Sequence, residues 1–224
     1  NKTFQLSALD QGRFILKAEN SNPDWQADEK LKLDEFARKT HYWISTDGRF
    51  NPRVVKTMDA KVVNMTDGKT IGNNFFERDT VEVEKNLLGK KIIRNISGNF
   101  FCAKIVETEA YLGLEDKACH SYGGNITKRN EILYKEAGTI YVYLIYGMYN
   151  LLNIVTKNEN DPEAVLIRAV EPIENIDAMA VNRFGKIYKD LSSYQKKNLT
   201  NGPGKLTMAM EIDRALNGKI LSQD

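Results

Sequence analysis

At 224 residues the chain is long enough for one well-filled domain, or for a domain with a small appendage. It can bury a core, with 42% apolar residues, but 32 basic against 30 acidic residues leave a net charge of +2, too small for a global field that announces a polyanionic or membrane partner. Two cysteines, Cys102 and Cys119, exclude a disulfide framework or a four-cysteine zinc site, and two distant histidines, His41 and His120, exclude helical His-metal motifs.

In chain order, residues 1–75 are polar and punctuated by turn signals at Asn22-Pro23, Asp47-Gly48, Asn51-Pro52, Asp67-Gly68 and Gly72-Asn73-Asn74. The first ten residues show no basic segment ahead of an apolar run, so no signal peptide is expected and the protein is expected to be soluble and intracellular. Asp28 to Arg38, with Leu31, Leu33, Phe36 and Ala37, reads as a weak amphipathic helix. Phe14-Ile15-Leu16, Val54-Val55 and Val62-Val63 read as short edge strands. Gly72-Asn73-Asn74 is the expected boundary, with residues 1–75 an unassigned segment and 76–224 a denser domain.

In that second part, Asp79-Thr80 is an N-cap leading into Val81, Val83, Leu87 and Leu88, closed by Gly89. Lys91 to Asn95 and Phe100 to Leu112 read as a hairpin around Ser97-Gly98-Asn99. Further strands are expected over Ile140 to Tyr146, Leu151 to Val155 and Ala164 to Val170, and helices over Glu174 to Phe184 and Lys205 to Ile212. Ala137 to Thr156 carries no charge and is long enough to span a bilayer, yet it holds four tyrosines, two glycines, Asn150 and Asn153, which rejects a membrane helix. The fold class expected is α+β, a single compact domain with a mixed, largely antiparallel sheet and flanking helices.

Several residues are suited to chemistry. On a strand, Glu107, Glu109 and Tyr111 share one face, with the two carboxylates roughly 7 Å apart. They fit either a solvent-facing strand or a carboxylate that activates water beside an aromatic surface. His120 precedes Gly123-Gly124, a pair that permits a tight loop close to a ligand. Thr127, Lys128 and Arg129 form a small cationic set of the kind that contacts phosphates, or a solvated loop. Tyr141 and Tyr143 share a strand face, Tyr141 as core; Tyr146, before Gly147, reads as an exposed aromatic wedge. Arg168 is the one charge between Ala164 and Val170 and needs a carboxylate partner, for which Glu109 is a candidate. Gly202-Pro203-Gly204 opens a helix, and Arg183 to Lys205 holds six basic residues against Asp190 alone, a strip suited to a phosphate backbone.

The blocks Val106-Glu-Thr-Glu-Ala-Tyr-Leu-Gly113, His120-Ser-Tyr-Gly-Gly124, Tyr141-Val-Tyr-Leu-Ile-Tyr-Gly-Met148, Ile167-Arg-Ala-Val-Glu-Pro172 and Asn201-Gly-Pro-Gly-Lys-Leu206 together resemble, in order, the alkyladenine (3-methyladenine) DNA glycosylase family of the mammalian type, over about Phe76 to Leu221. The resemblance implies base excision: hydrolysis of the bond between a damaged purine and its deoxyribose after the base is flipped out, leaving an abasic site. It implies that Glu109 is the general base, that Arg168 helps hold the water, and that Tyr111, His120 and Tyr143 wall the base pocket. Asn153 would obstruct the 2-amino group of guanine and Tyr146 would fill the gap in the duplex, with Met148, Tyr149, Thr127, Lys128 and Arg129 as further DNA contacts. No metal or cofactor is implied, and the partner is double-stranded DNA with damaged purines, bound by a monomer in the bacterial cytoplasm (nucleoid) or the eukaryotic nucleus. The family domain continues with further strands, so residues 76–224 read as C-terminally short, while residues 1–75 match nothing in the family.

Two other readings stay open at this point. A carbohydrate glycosidase could use Glu107 and Glu109 as its pair, since their spacing falls within the inverting range of about 6.5–9.5 Å. It leaves Tyr146-Gly147, Thr127-Lys128-Arg129 and the basic strip without a role. A non-catalytic nucleic-acid or lesion-binding module would keep the pocket without turnover, against which stands the presence of both Glu109 and Arg168.

Overall fold

The computed structural model describes residues 58–96 and 98–221, and upstream of them the backbone of four short strands. The chain divides into two compact units, Asn1–Thr57 with Ile96–Asn99, and Met58–Asn95 with Phe100–Asp224. In the first, β1 (Phe4–Leu9) and β2 (Arg13–Ala18) pair antiparallel, Phe4 opposite Ala18, and β2 contains the Phe14-Ile15-Leu16 run. β3 (Trp43–Ile44) pairs antiparallel with β4 (Phe50–Asn51). The helix expected over Asp28 to Arg38 and the Val54-Val55 strand lie outside the described residues.

The second unit is built on a six-stranded sheet. Its strands are β5 (Met58–Val63), β6 (Lys91–Ile96), β7 (Asn99–Tyr111), β8 (Ile140–Ile145), β9 (Tyr149–Thr156) and β10 (Glu163–Glu174), in the order β5-β6-β7-β10-β9-β8. The pairings β7–β10, β10–β9 and β9–β8 are antiparallel. With the helices below, this is the α+β architecture that the mixed strand and helix spacing predicts. The sheet starts at Met58, and Gly72-Asn73-Asn74 leads into α1 (Asn73–Phe76) inside this unit.

Side-chain chemistry explains the elements. Asp79 caps α2 (Thr80–Leu87), its carboxylate accepting from the amides of Val81 at 3.0 Å and Glu82 at 3.2 Å. α2 buries Val83 and Leu87 completely, each worth about 1.5–3 kcal/mol. β6 alternates half-buried and buried residues, and the buried set includes Arg94. Arg94 donates to the carbonyls of Asp59, Asn95 and Glu211, which binds β5, β6 and the loop after the last helix into one piece. Burial lowers its pKa, and those three carbonyls partner its two terminal nitrogens, as a buried cation needs, while among the described residues Nε has no hydrogen-bond partner.

The uncharged run from Ala137 to Thr156 is the β8–β9 hairpin, and among the described residues no helix is long and apolar enough to cross a membrane. Two helix starts differ from the sequence expectation. β10 continues to Glu174, where Asn175 at φ 60° turns the chain into α3 (Ile176–Phe184). Proline at the first helical turn starts α5 (Pro203–Ala209) ahead of Lys205. Between them lies α4 (Ser193–Lys197), begun by a capping box of Ser192 and Gln195.

Candidate active site

Alternation along β7 sets out the first part of the site. Thr108 turns to α2, its hydroxyl donating to the Glu84 carboxylate at 2.7 Å. Glu107, Glu109 and Tyr111 take the opposite face, as the strand period requires. Arg168 arrives on that face from β10 by a β-bulge: Ile167 lies opposite Thr108 and Ala169 opposite Glu107, which leaves Arg168 as the extra residue. A bulge re-aims the side chain it carries. Here the guanidinium lies between two carboxylates, with Nη1 donating to Glu109 and Nε 3.2 Å from Glu107 without hydrogen-bond alignment. The hydrogen bond with Glu109 raises the Arg168 pKa, so the guanidinium stays charged. The Tyr111 hydroxyl donates to the other Glu109 oxygen at 2.9 Å. Burial, then the bond to Glu109, pushes the Tyr111 pKa up and keeps it a donor. Glu109 is thus gripped from two sides, yet its side chain remains 39% exposed, open to water.

Beside this pair lies a cleft partly open to solvent. Its aromatic walls are Tyr111, His120, Tyr141 and Tyr143, and buried Asn153 is among its linings. Cys119, Leu133 and Ala164 line its apolar remainder. Asn153 is fixed by its own amide, which donates to the carbonyls of Tyr141 at 3.2 Å and Leu151 at 3.4 Å.

The loop carrying His120 is held by two buried polar residues. Asn130, 2% exposed, accepts from the Thr127 amide and hydroxyl and donates to the carbonyls of His120 and Asn125. Ser121 donates to the Pro162 carbonyl at 2.9 Å. Between these anchors Gly123 and Gly124 both take positive φ, 74° and 81°, which lets the chain turn back so tightly. His120 Nδ1 lies 2.9 Å from the Tyr141 hydroxyl, and its ring stands edge-on to Tyr143 at 4.5 Å.

Burial, then the positive charge of Arg129, lowers the His120 pKa from its ordinary 6.5. The folded protein therefore refuses a proton that the unfolded chain accepts. Above both values His120 contributes nothing to pH dependence; as pH falls from 6.5 toward the lower folded value it costs stability. Urea midpoints measured from about pH 7 to about pH 5 are expected to fall less steeply for His120→Gln than for the parent protein.

The third part is the tip of the β8–β9 hairpin. Tyr146 is 83% exposed and sits at φ 53°, a conformation unfavourable for a bulky side chain. Met148 is also exposed. Tyr149 packs on the first turn of α5: a Cβ added at Gly204 would lie 2.9–3.0 Å from its Cδ1, Cβ and Cγ. Thr207 adds a bond from its hydroxyl to the Asn150 carbonyl at 2.7 Å. Gly204→Ala must push Tyr149 aside, an overpacking that costs about 1–3 kcal/mol. A thermal midpoint lower by about 2–12 °C is expected in a melting scan.

The arrangement thus brings Tyr111, His120, Tyr143 and Asn153 to one cleft, joins Glu109 and Arg168 to it through the Tyr111 hydroxyl, and sets Tyr146, Met148 and Tyr149 on a single hairpin end. Thr127 serves the loop through Asn130 and Lys128 is exposed, while Arg129 turns to the wall, its guanidinium 5.2 Å over the Tyr143 ring. The basic strip lies on α3, α4 and the start of α5. Its Lys205 is held by the side-chain oxygens of Asn198 and Asn201, and its Lys196 lies over the Tyr188 ring. Sequence reasoning missed Cys119 as a cleft residue and the loop-holding role of Asn130, and kept Tyr141 as core only. Tyr141 is 2% exposed, so core is correct, but its hydroxyl also reaches His120. Its place beside Tyr143 on β8 was the available signal.

Known proteins bear on this geometry. Residues 74–224 match the family model described as Methylpurine-DNA glycosylase (MPG). A protein of Clostridium novyi (strain NT), named "Putative 3-methyladenine DNA glycosylase", is 55% identical over 156 residues, 70% of this chain and 77% of its own. Proteins of the same name from Clostridium perfringens (strain 13 / Type A) and Clostridioides difficile (strain 630) are 53% identical over 148 residues and 52% over 146, covering 66% and 65% of this chain and 72% of each relative. Both the aromatic cleft and the gripped carboxylate lie inside the matched span, and the chain belongs to the methylpurine-DNA glycosylase family.

Proposed function

We propose that this chain is a base-excision repair glycosylase that hydrolyses the N-glycosidic bond of alkylated or deaminated purines in double-stranded DNA and leaves an abasic site. The observation that carries the reading is Glu109, held by Arg168 and Tyr111 yet open to water, at the edge of a four-ring aromatic cleft. A base inside a duplex must leave the stack before its sugar bond can be reached, which costs a few kcal/mol and less at a damaged pair. Tyr146 offsets that cost by occupying the vacated stack, with Met148 and Tyr149 beside it. Lys128 and the basic strip meet the phosphates, while Arg129 faces the Tyr143 wall of the cleft.

The flipped purine is sandwiched between Tyr111 on one side and His120 and Tyr143 on the other. Aromatic faces attract an alkylated, positively charged base by roughly 0.5–2 kcal/mol. Asn153, locked by its two carbonyl contacts, obstructs the 2-amino group of guanine and so spares normal bases. Bond breaking leaves an oxocarbenium-like sugar. Glu109 takes a proton from the attacking water while Arg168 holds that water and keeps the carboxylate aimed. Water is the nucleophile, so the strand stays intact.

A paired-carboxylate glycosidase fits less well. It needs its two carboxyls on opposite sides of the scissile bond, whereas Glu107 and Glu109 converge on one guanidinium. The test is release of free base from methylated and from hypoxanthine-containing duplexes, with the strand examined for breaks. Release without breaks is expected; tight lesion binding with no release would replace the enzyme by a binding module.

A further inference from the structure

Arg129 lies against the pocket without entering it. Its guanidinium carbon is 5.2 Å from the Tyr143 ring centroid, while Tyr143, His120 and Tyr141 line the cleft and Arg129 does not. Among the described residues it makes no ion pair with a carboxylate. Its charge reaches three cleft residues: it opposes the burial-driven rise of the Tyr141 and Tyr143 pKa values and adds to the lowering at His120. We propose that Arg129 is a positioning residue that tilts the pocket toward uncharged damaged purines and against cationic ones, acting through the ring of Tyr143.

The sign does not depend on which face of Tyr143 the base takes. A ring attracts cations through the negative potential of its π faces. On the face that Arg129 covers, a cationic base competes with the guanidinium for the same site. On the other face it meets a ring already polarised toward Arg129 and a like charge one ring thickness beyond, a repulsion that falls only as the inverse of distance. A neutral base such as hypoxanthine feels neither effect. A 7-methylguanine or 3-methyladenine nucleotide, with its formal positive charge, feels both.

The inference rests on the glycosylase reading, which is decided separately by base release from the unaltered protein. Its own test is a ratio. Duplexes carrying 7-methylguanine or hypoxanthine in the same sequence context are compared for binding and for single-turnover release, with the parent protein, Arg129→Gln and Arg129→Lys. In Arg129→Gln the 7-methylguanine to hypoxanthine ratio is expected to rise about 5- to 10-fold, a size consistent with one cation–π contact at a partly exposed site. Arg129→Lys keeps the charge and is expected to stay close to the parent ratio. Because Arg129 is exposed, added salt is expected to narrow the difference. An equal loss on both lesions would make Arg129 a phosphate anchor and overturn the proposal, as would an unchanged ratio in Arg129→Gln. Thermal midpoints of the variants show whether loss of fold contributes, and a folding defect lowers both lesions alike without moving their ratio.

Discussion

Glu109→Gln is expected to lower the single-turnover rate of base release by about 10²–10⁴-fold, the usual contribution of a positioned general base, with lesion binding retained. The isosteric amide keeps the volume and a hydrogen-bonding oxygen, but it no longer takes a proton from water. The surroundings tolerate the change because Arg168 is not stranded: Glu107 still lies 3.2 Å from its Nε. With its oxygen toward Arg168, the new amide turns its NH2 to the Tyr111 hydroxyl, which then accepts where it donated before. Release kinetics, lesion-duplex binding and a thermal scan on the same preparation check the result. Undiminished release would remove Glu109 from the chemistry, and weakened binding in step with the rate would make it a structural residue.

Tyr146→Ala is expected to weaken binding to lesion duplex by about 5- to 150-fold, the equivalent of the roughly 1–3 kcal/mol carried by one stacked aromatic. Single-stranded substrate needs no gap filled and is expected to change little. The side chain is 83% exposed and sits at φ 53°, so its removal takes nothing from the core. Strain of this kind persists where the surroundings enforce it, and it concentrates at functional sites. Thermal stability is therefore expected to hold while affinity falls. Equal losses on duplex and single strand would contradict a wedge and point to a general surface contact.

The legible parts of this molecule were those governed by local rules. A two-residue period set Glu107, Glu109 and Tyr111 on one face, and Asp79 announced its helix, because alternation and capping need only neighbours. The need of a lone strand cation for a carboxylate paired Arg168 with Glu109 in prospect. The bulge that makes this pairing possible was not legible, since it arises from how β10 lies on β7, some sixty residues away in sequence. Asn130 was hidden for a similar reason: its value lies in the four contacts it makes across its loop. The helix expected from Glu174 failed at its start because pairing with β7 as far as Cys102 holds that residue in the strand. Arg129 resembled a solvated loop cation until the fold brought Tyr143 beneath it.

Under the proposed catalytic role of Glu109, the bulge at Arg168 also ties folding fidelity to activity. A strand that slips by one residue still pairs its backbone, but every side chain changes face. If β10 slipped so, Ile167 or Ala169 would stand where the guanidinium belongs, and two carboxylates would face each other with no cation between them. The charge triad thus penalises the misregistered sheet by repulsion and leaves it without a working carboxylate. Turnover per molecule would then report the fraction of chains whose central strands found their register, something that the strand content of a spectrum cannot distinguish.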